Sequence, residues 1–454
     1  MLSFTLEELL SIPGSKLTGP TPESRTFTVA TDTRNLPPGS VYIALRGERF
    51  DGHAFVRNAF NSGVELCVAQ EDYLEKQLRR DDSKSIIKVD DTLSFYQELA
   101  RFARRRQKAW VLGITGSSGK TTTKEMCAAV FGKRKCHKSA ANENNEIGVP
   151  KTIFAMESDC EILILEMGMR GLGQIAELAR IGEPQVGIIT NVGMTHVELL
   201  GSQENIAAAK CELLEGLKKG PGIIGQMTDL VRSTATNCYK GELLDFESAG
   251  VKVISVNSTG TAFRVAGIDR DFFVHAHGEF LVRDAWCAIA AGRAYGLPVD
   301  EIAEGLAAWS HVPGRGNKVD AINGAIVVDE SYNANPDSVK CAVDALLAPE
   351  FFSDRSKVVV LGKMAELGEF EAPLHKELGK WLKDKPISML VTVGDTAALI
   401  AKNAEGAKFE VAACDDQDQA FSKLKDKLDS SVLVMVKGSH STNLGDLVKR
   451  LAAK

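Results

Sequence analysis

Short apolar runs rich in Val and Ile recur along the chain: AWVLGITG at 109–116, CEILILEMG at 160–168, VGIITNVG at 186–193, GAIVVDES at 324–331, KVVVLGKM at 357–364, SMLVTVGD at 388–395 and SVLVMVKG at 431–438. Each leads into Gly or a polar residue and then a helical pattern, the rhythm of strand–helix units around a parallel sheet. In such sheets ligands bind beyond the carboxyl ends of the strands, so the residues just after each run are the ones to search. Before residue 90 the rhythm changes, because a Pro-Pro-Gly turn breaks the short strand-like stretches of TFTVATDTRNLPPGSVYIALRGERFDGHAF (26–55). That segment reads as a separate small domain. Residues 91–108 read as an amphipathic helix with Phe95, Leu99 and Phe102 on one face and Arg104, Arg105 and Arg106 on a solvated one, an anion site being the other reading of the arginines. Pro and Gly punctuate HVPGRGNK at 311–318 before a new series of units begins, so the expected domains are 1–90, 91–312 and 313–454.

With 454 residues, 44% of them hydrophobic and 25% charged, the chain has a globular composition, and at about 150 residues per domain it has room for roughly three. A net charge of −6 supplies no field to attract a polyanion, which speaks against nucleic acid as a partner. Nine thinly spread cysteines, with no C-x-x-C pair, fit a reducing compartment better than disulfides or a zinc site, and a cytoplasmic location is expected. The opening MLSFTLEELL has no Lys or Arg, and no uncharged apolar run approaches the ~18 residues of a membrane span. Neither signal peptide nor membrane anchor is expected.

The strongest chemical signal is GITGSSGKTTTKEM at 113–126, a glycine-rich turn between an apolar strand and a helix. Backbone N–H groups of such a turn and the positive end of the helix dipole cradle phosphate oxygens. Gly116, Ser117, Ser118, Gly119, Lys120, Thr121 and Thr122 are therefore the candidate nucleotide-binding residues, Lys120 offsetting β/γ-phosphate charge and the Thr121 hydroxyl available to Mg²⁺. The longer G-x-x-x-x-G-K-[ST] spacing is not met, since Ile114 stands at its first glycine. Glu166 ends EILILE where an oxygen ligand for Mg²⁺ is expected, a strand-capping carboxylate being the alternative. His196 follows the next strand in NVGMTHVE and is either a third polar group at that edge or a structural histidine. Asn142, Asn144 and Asn145 lie in ANENNEIGVPKT (141–152), a density that also suits turns.

Taken together, T-G-x-x-G-K-T-T, N-x-N-N-E-I-G-V-P, E-M-G-M-R, N-V-G-x-x-H-x-E, A-A-K-x-E at 208–212, P-G-R at 313–315, D-E-S-Y-N-A-N-P at 329–336 and L-G-K-M-A-E-L-G at 361–368 resemble the Mur ligases in content and order. The resemblance extends through DTRNLPPGSVYIALRGERFDGH (32–53) and covers nearly the whole chain. It is closest to the members that join D-alanyl-D-alanine to UDP-N-acetylmuramoyl-tripeptide. It implies an α/β protein of three domains: a small N-terminal substrate domain, a central P-loop-type parallel-sheet ATPase domain, and a C-terminal Rossmann-like domain that closes on both. It also implies ATP and Mg²⁺, an acyl-phosphate intermediate, and by default a monomer.

The resemblance assigns roles residue by residue. Lys120, His196 and Lys210 are the catalytic candidates, and Thr121, Glu166, His196 and Lys210 the metal candidates, Lys210 as a carbamate. Arg315, Asp329, Tyr332 and Asn333 would reach the nucleotide. Thr33, Arg34, Arg46 and Gly47 would lie near the uridine diphosphate, and Asn142, Asn144 and Asn145 near substrate. The chain departs from the family pattern at 278–284, where GEFLVRD puts Phe280, Leu281 and Asp284 in place of a His and two Asn. It departs again at His440, where an arginine is usual, and at Glu330 in place of an aspartate. The alternatives are a ligase using the same chemistry on another carboxylate, such as a folylpolyglutamate synthetase or a single-amino-acid Mur ligase, and a nucleotide-binding relative that no longer ligates.

Overall fold

The structure, a computed structural model, describes residues 1–47, 50–72, 84–257 and 259–453. Its contacts divide the chain into two compact units: Met1–Gly113, Arg134–Gly168 and Gln174–Gln185 form the first, and Ile114–Lys133, Met169–Gly173 and Val186–Lys454 the second.

In the first unit a six-stranded sheet runs in the order Ser3–Thr5, Thr26–Ala30, Ser40–Ile43, Leu66–Gln70, Ser85–Val89, Lys16–Thr18. Its inner four strands are parallel and the two edges antiparallel. Strands Ser40–Ile43 and Leu66–Gln70 are buried along their whole length, as parallel strands covered on both faces must be. The same unit holds the parallel pair Cys136–Lys138 and Ile162–Glu166.

The helix expected over 91–108 is Thr92–Arg106, capped by the Asp91 carboxylate, with Phe95 and Leu99 buried. Two of its arginines, Arg105 and Arg106, lie on the expected exposed face, whereas the third does not. Arg104 is buried and donates to the Gly182 carbonyl at 3.0 Å, Arg105 pairs with Glu183, and Arg106 pairs with Glu8 while stacking on Phe4. The sequence pattern shows three adjacent charges; that acceptors wait 78 residues away for two of them is a tertiary fact.

The second unit contains the parallel strands Val186–Ile189, Gly222–Ile224 and Leu243–Asp245. An antiparallel three-stranded sheet follows (Lys252–Asn257, Gly260–Arg264, Asp271–Val274), which the search for apolar runs passes over because its first strand is largely exposed. The last sheet has the order Asn317–Asp320, Ile326–Glu330, Val432–Lys437, Ser356–Leu361, Met389–Val393, Glu410–Cys414, parallel except at its first edge. Its core gathers Val327, Val358, Val360, Val391, Val434 and Val436. The apolar runs of the sequence are thus the buried strands, and chemistry-bearing residues follow their carboxyl ends.

Candidate active site

The strand Trp110–Thr115 ends at the phosphate-loop motif, and the helix Lys120–Val130 begins after it. Two glycines allow the turn. Gly116 has φ 152° and a side chain there would meet the Thr190 hydroxyl at 1.8 Å; Gly119, the helix N-cap, is left-handed at φ 80°. The loop is held from the end of the next strand: the Asn191 side-chain oxygen accepts from the Ser117 and Ser118 amides at 3.1 and 2.9 Å, and its amide donates to Ser118 Oγ at 2.6 Å. The Thr190 hydroxyl donates to the Ser118 carbonyl. Lys120 Nζ donates to the Gly116 carbonyl at 2.8 Å, so its ammonium lies over the loop. Thr121 and Thr122 are buried in the first helical turn.

Several ionisable groups surround this loop. Lys210, on the helix Gln203–Glu215, is buried rather than a surface lysine, and burial followed by the Lys120 charge pushes its amine well below the ordinary lysine range. Asp284, on the helix Glu279–Tyr295, places its carboxylate where a Cβ on Gly119 would be 2.8 Å from it; burial pushes this acid up to about 8, against the charges of Arg283 and Arg315. His196 Nδ1 lies 2.8 Å from Glu366 Oε2, and contact with the ring, opposed by partial burial and reinforced by Arg170 and Lys120, holds the Glu366 carboxyl below its usual range.

The Asp329 carboxylate accepts from the Gly314 and Ser331 amides at 3.1 and 3.0 Å and so fixes the P-G-R turn. Arg315 stacks over Tyr332 with 4.1 Å to the ring centre. Asn333 caps its own loop through Ala334 N–H, and its carbonyl accepts from Lys437, which also pairs with Glu330. Asn335 Nδ2 donates to Thr195 Oγ1 at 2.9 Å, and Asp337 packs against Gly193. Lys120, His196, Lys210 and Arg315 are thus joined by contact or charge within the second unit. Asn191, Asn335, Asp337 and Glu366 escaped the sequence reading as individual residues, and all but Asp337 lie inside motifs it had already singled out.

In the first unit Glu166 ends its strand almost fully buried, and Asn144 Nδ2 donates to Glu166 Oε1 at 2.9 Å. Asn144 is therefore an orienting partner of this carboxylate. Asn145 accepts from the Ile147 and Gly148 amides and starts the helix Gly148–Ala155, while the Asn142 carbonyl accepts from the Asn144 amide. Thr33 and Arg34 follow the strand Thr26–Ala30, with Arg34 paired to Asp32; Arg46 and Gly47 follow Ser40–Ile43, with Arg46 paired to Asp51 and Asp72. Both pairs thus sit beyond carboxyl ends of parallel strands.

Mg²⁺ takes oxygen ligands and commonly needs only one or two from protein beside phosphate and water. Among the described residues no group of three or more His, Cys, Asp or Glu is gathered as a metal cage. The buried Glu166 carboxylate and the Thr121 hydroxyl are hard oxygen donors of the type that fits this ion.

Comparison with known proteins agrees with this geometry. Residues 28–104 match the Mur ligase family catalytic domain, 114–292 the Mur ligase middle domain, and 314–440 the Mur ligase glutamate ligase domain. A Bacillus subtilis (strain 168) protein named UDP-N-acetylmuramoyl-tripeptide–D-alanyl-D-alanine ligase is 34% identical over 99% of both chains. The fold matches MurF from Acinetobacter baumannii with a TM-score of 0.89 at 26% identity over 99% of each chain. It matches Thermotoga maritima MurF ligase in complex with ADP with a TM-score of 0.83 at 27% identity, over 94% of this chain and 97% of that one. A phosphate loop carrying Lys120 and faced by Lys210, together with full-length identity of this level, makes this α/β chain a member of the Mur ligase family.

Proposed function

We propose that the chain is an ATP-dependent ligase that joins D-alanyl-D-alanine to UDP-N-acetylmuramoyl-tripeptide in peptidoglycan precursor synthesis. The observation that carries this reading is the convergence of Lys120, Lys210, His196 with Glu366, and Arg315 around one phosphate loop. The proposed domains are 1–90 for the UDP-sugar, 91–312 for ATP and 313–454 for completing the site. We assign the protein to the cytoplasm as a monomer; among the described residues no helix is long and apolar enough to cross a membrane.

The reaction must bring a carboxylate against a triphosphate, two anions that repel. Lys120 over the loop offsets phosphate charge, Arg170 and Arg315 add positive field, and the helix that begins at Lys120 adds its dipole. Transfer of the γ-phosphoryl group to the tripeptide carboxylate gives an acyl phosphate; the dipeptide amine attacks its carbonyl and phosphate leaves. Bound Mg²⁺ supplies further neutralisation of phosphate charge. Thr121, Glu166, His196 and Lys210 are the residues we assign to hold it. The Nδ1 of His196 is taken by Glu366, which leaves Nε2 as the ligating atom.

Burial explains how Lys210 serves. A neutral amine adds to CO₂, forming an N–C bond and releasing a proton, and the lysine becomes an anionic carbamate with two oxygen donors. Asn144, which orients Glu166, and Asn142 and Asn145 beside it are assigned to the substrate-binding loop, Thr33, Arg34, Arg46 and Gly47 to the uridine diphosphate, and Asp329, Tyr332 and Asn333 with Arg315 to the nucleotide. The test is phosphate release from ATP with UDP-linked tripeptides carrying diaminopimelate or lysine, with and without D-alanyl-D-alanine. Release that requires both acceptor and dipeptide supports the reading; release indifferent to the dipeptide refutes it.

A further inference from the structure

Asn335 does more than begin a helix. As the N-cap of the helix Pro336–Leu346, it accepts from the Ser338 amide through Oδ1 at 2.8 Å, and its backbone amide donates to Ser338 Oγ at 3.0 Å. Because Oδ1 takes an N–H, the orientation of the side-chain amide is fixed and Nδ2 is left as a donor. Capping makes no use of that donor, and Asp or Ser would cap as well. Nδ2 instead donates to Thr195 Oγ1 at 2.9 Å, a residue 140 positions away in the chain.

Thr195 hands this contact on to the phosphate loop. Its oxygen accepts from Asn335, and its hydroxyl donates to the Ser117 carbonyl at 3.4 Å. Ser117 Oγ accepts from the Gly193 amide at 2.9 Å and donates to the Gly193 carbonyl at 3.2 Å, while the Ser117 amide donates to Asn191. The segment 191–195 is therefore bonded along Ser117 on one side. On the other, Asp337 in the first turn of the capped helix covers Gly193 so closely that a Cβ there would lie 2.2 Å from its Oδ2. Asn335, Thr195 and Ser117 are only 5%, 7% and 7% exposed, so little water competes for these bonds.

We propose that Asn335 is a positioning residue for ATP, acting through Thr195 on the backbone of the phosphate loop rather than by contact with the nucleotide. A phosphate cradle binds well only when its N–H groups are already held where the oxygens will be, because donors that must first be reoriented give back part of what each bond contributes. Ser117 belongs to that cradle, and 191–195 holds it at its amide, hydroxyl and carbonyl. Asn335 in turn holds 191–195 through Thr195. The loop is thereby tied to the stretch that carries Tyr332 and Asn333. Linkage is reciprocal: if Asn335 steadies the nucleotide, the nucleotide must steady the helix that Asn335 begins. The proposal rests on reading 116–122 as the nucleotide site, and not on which carboxylate is ligated.

Calorimetry of the full-length protein with the ATP analogue adenylyl imidodiphosphate and Mg²⁺ tests this without turnover. Asn335→Ser keeps a capping hydroxyl and loses the reach to Thr195, whereas Thr195→Val keeps the shape and loses the hydroxyl. Each should weaken analogue binding about five- to tenfold, the worth of one buried hydrogen bond. Both changes break one link, so the double variant should bind within about twofold of the weaker single variant. Thr195→Ser restores the hydroxyl and should recover binding to within about twofold of the wild type. Hydrogen exchange in the helix Pro336–Leu346 should slow on analogue binding in the wild type and not in Asn335→Ser. Wild-type affinity in either Asn335→Ser or Thr195→Val overturns the proposal, as does a double variant whose loss is the product of the two. Exchange in that helix that ignores the analogue in the wild type overturns it without any substitution. A wild type that binds the analogue but releases no phosphate with tripeptide and dipeptide overturns the ligase reading instead, and one that does not bind it overturns the nucleotide site and this proposal together.

Discussion

His196 and Glu366 meet with Nδ1 2.8 Å from Oε2, and both residues hold left-handed backbone, at φ 64° and 62°. Such a conformation costs an L-residue roughly 1–2 kcal/mol, so two strained residues, 170 positions apart, are aimed at one another. Strain kept at both ends of a contact points to a function for the contact. Glu366→Gln keeps the shape and removes the charge that orients the ring. Turnover should fall roughly tenfold or more, the usual loss when a ligand's supporting carboxylate goes, with substrate KM values little changed. Steady-state kinetics of the variant decide it, and a wild-type rate would sever Glu366 from catalysis.

Lys120→Ala should nearly abolish turnover and leave UDP-substrate binding intact. The lysine lies over the phosphate loop of the second unit, whereas Thr33, Arg34 and Arg46 belong to the first. A variant keeping more than about a tenth of the rate would have lost only ~1.4 kcal/mol of transition-state stabilisation, too little for the phosphate role. Calorimetry of the UDP-substrate with the variant checks the second half.

For Lys210→Ala the expected outcome is loss of activity, with partial recovery on adding formate or acetate, whose carboxylate can occupy the place of the carbamate. The buried position and lowered amine of Lys210 motivate this. Electron density at this side chain in a nucleotide-bound crystal should show the three extra atoms of the carbamate. A bare ammonium there, or near-normal rate in the variant, refutes it.

Asp284 makes stability fall as pH rises. Its folded-state value of about 8 lies above the unfolded value near 3.8, so between these limits the folded chain holds a proton that the unfolded chain has released. The stability linked to this group is fully present below the lower value and is lost as pH climbs through the upper one. One pKa unit corresponds to about 1.4 kcal/mol, so even a quarter of the shift is worth ~1 kcal/mol. Asp284→Asn should flatten the slope of stability between pH 5 and about pH 8 and make the variant the more stable protein at the alkaline end. Denaturant unfolding at several pH values measures this, and parallel pH profiles for the two proteins would contradict it.

Much of this protein is legible from local pattern alone. Strands such as Ile162–Glu166 and Val432–Lys437 announce themselves because a parallel strand buried on both faces must be apolar throughout, and that demand is written in consecutive residues. The phosphate loop is equally local, since Gly116 and Gly119 satisfy steric needs within six residues. Glu166, His196 and Lys210 follow from motif order. The antiparallel sheet at 252–274 escapes the pattern because its exposed first strand carries no such burial demand.

What only the tertiary structure decided is which groups meet. Asn191 bridging Ser117 and Ser118, Asp284 against Gly119, Glu366 against His196 and Asn335 on Thr195 are contacts between residues 73 to 170 positions apart. The raised carboxyl of Asp284 and the lowered amine of Lys210 arise once water is removed, and for Lys210 the Lys120 charge adds to the effect. Residue type and local period determine elements and loops; desolvation and long-range contact determine charge states and partners, and neither is a property of any short stretch of chain.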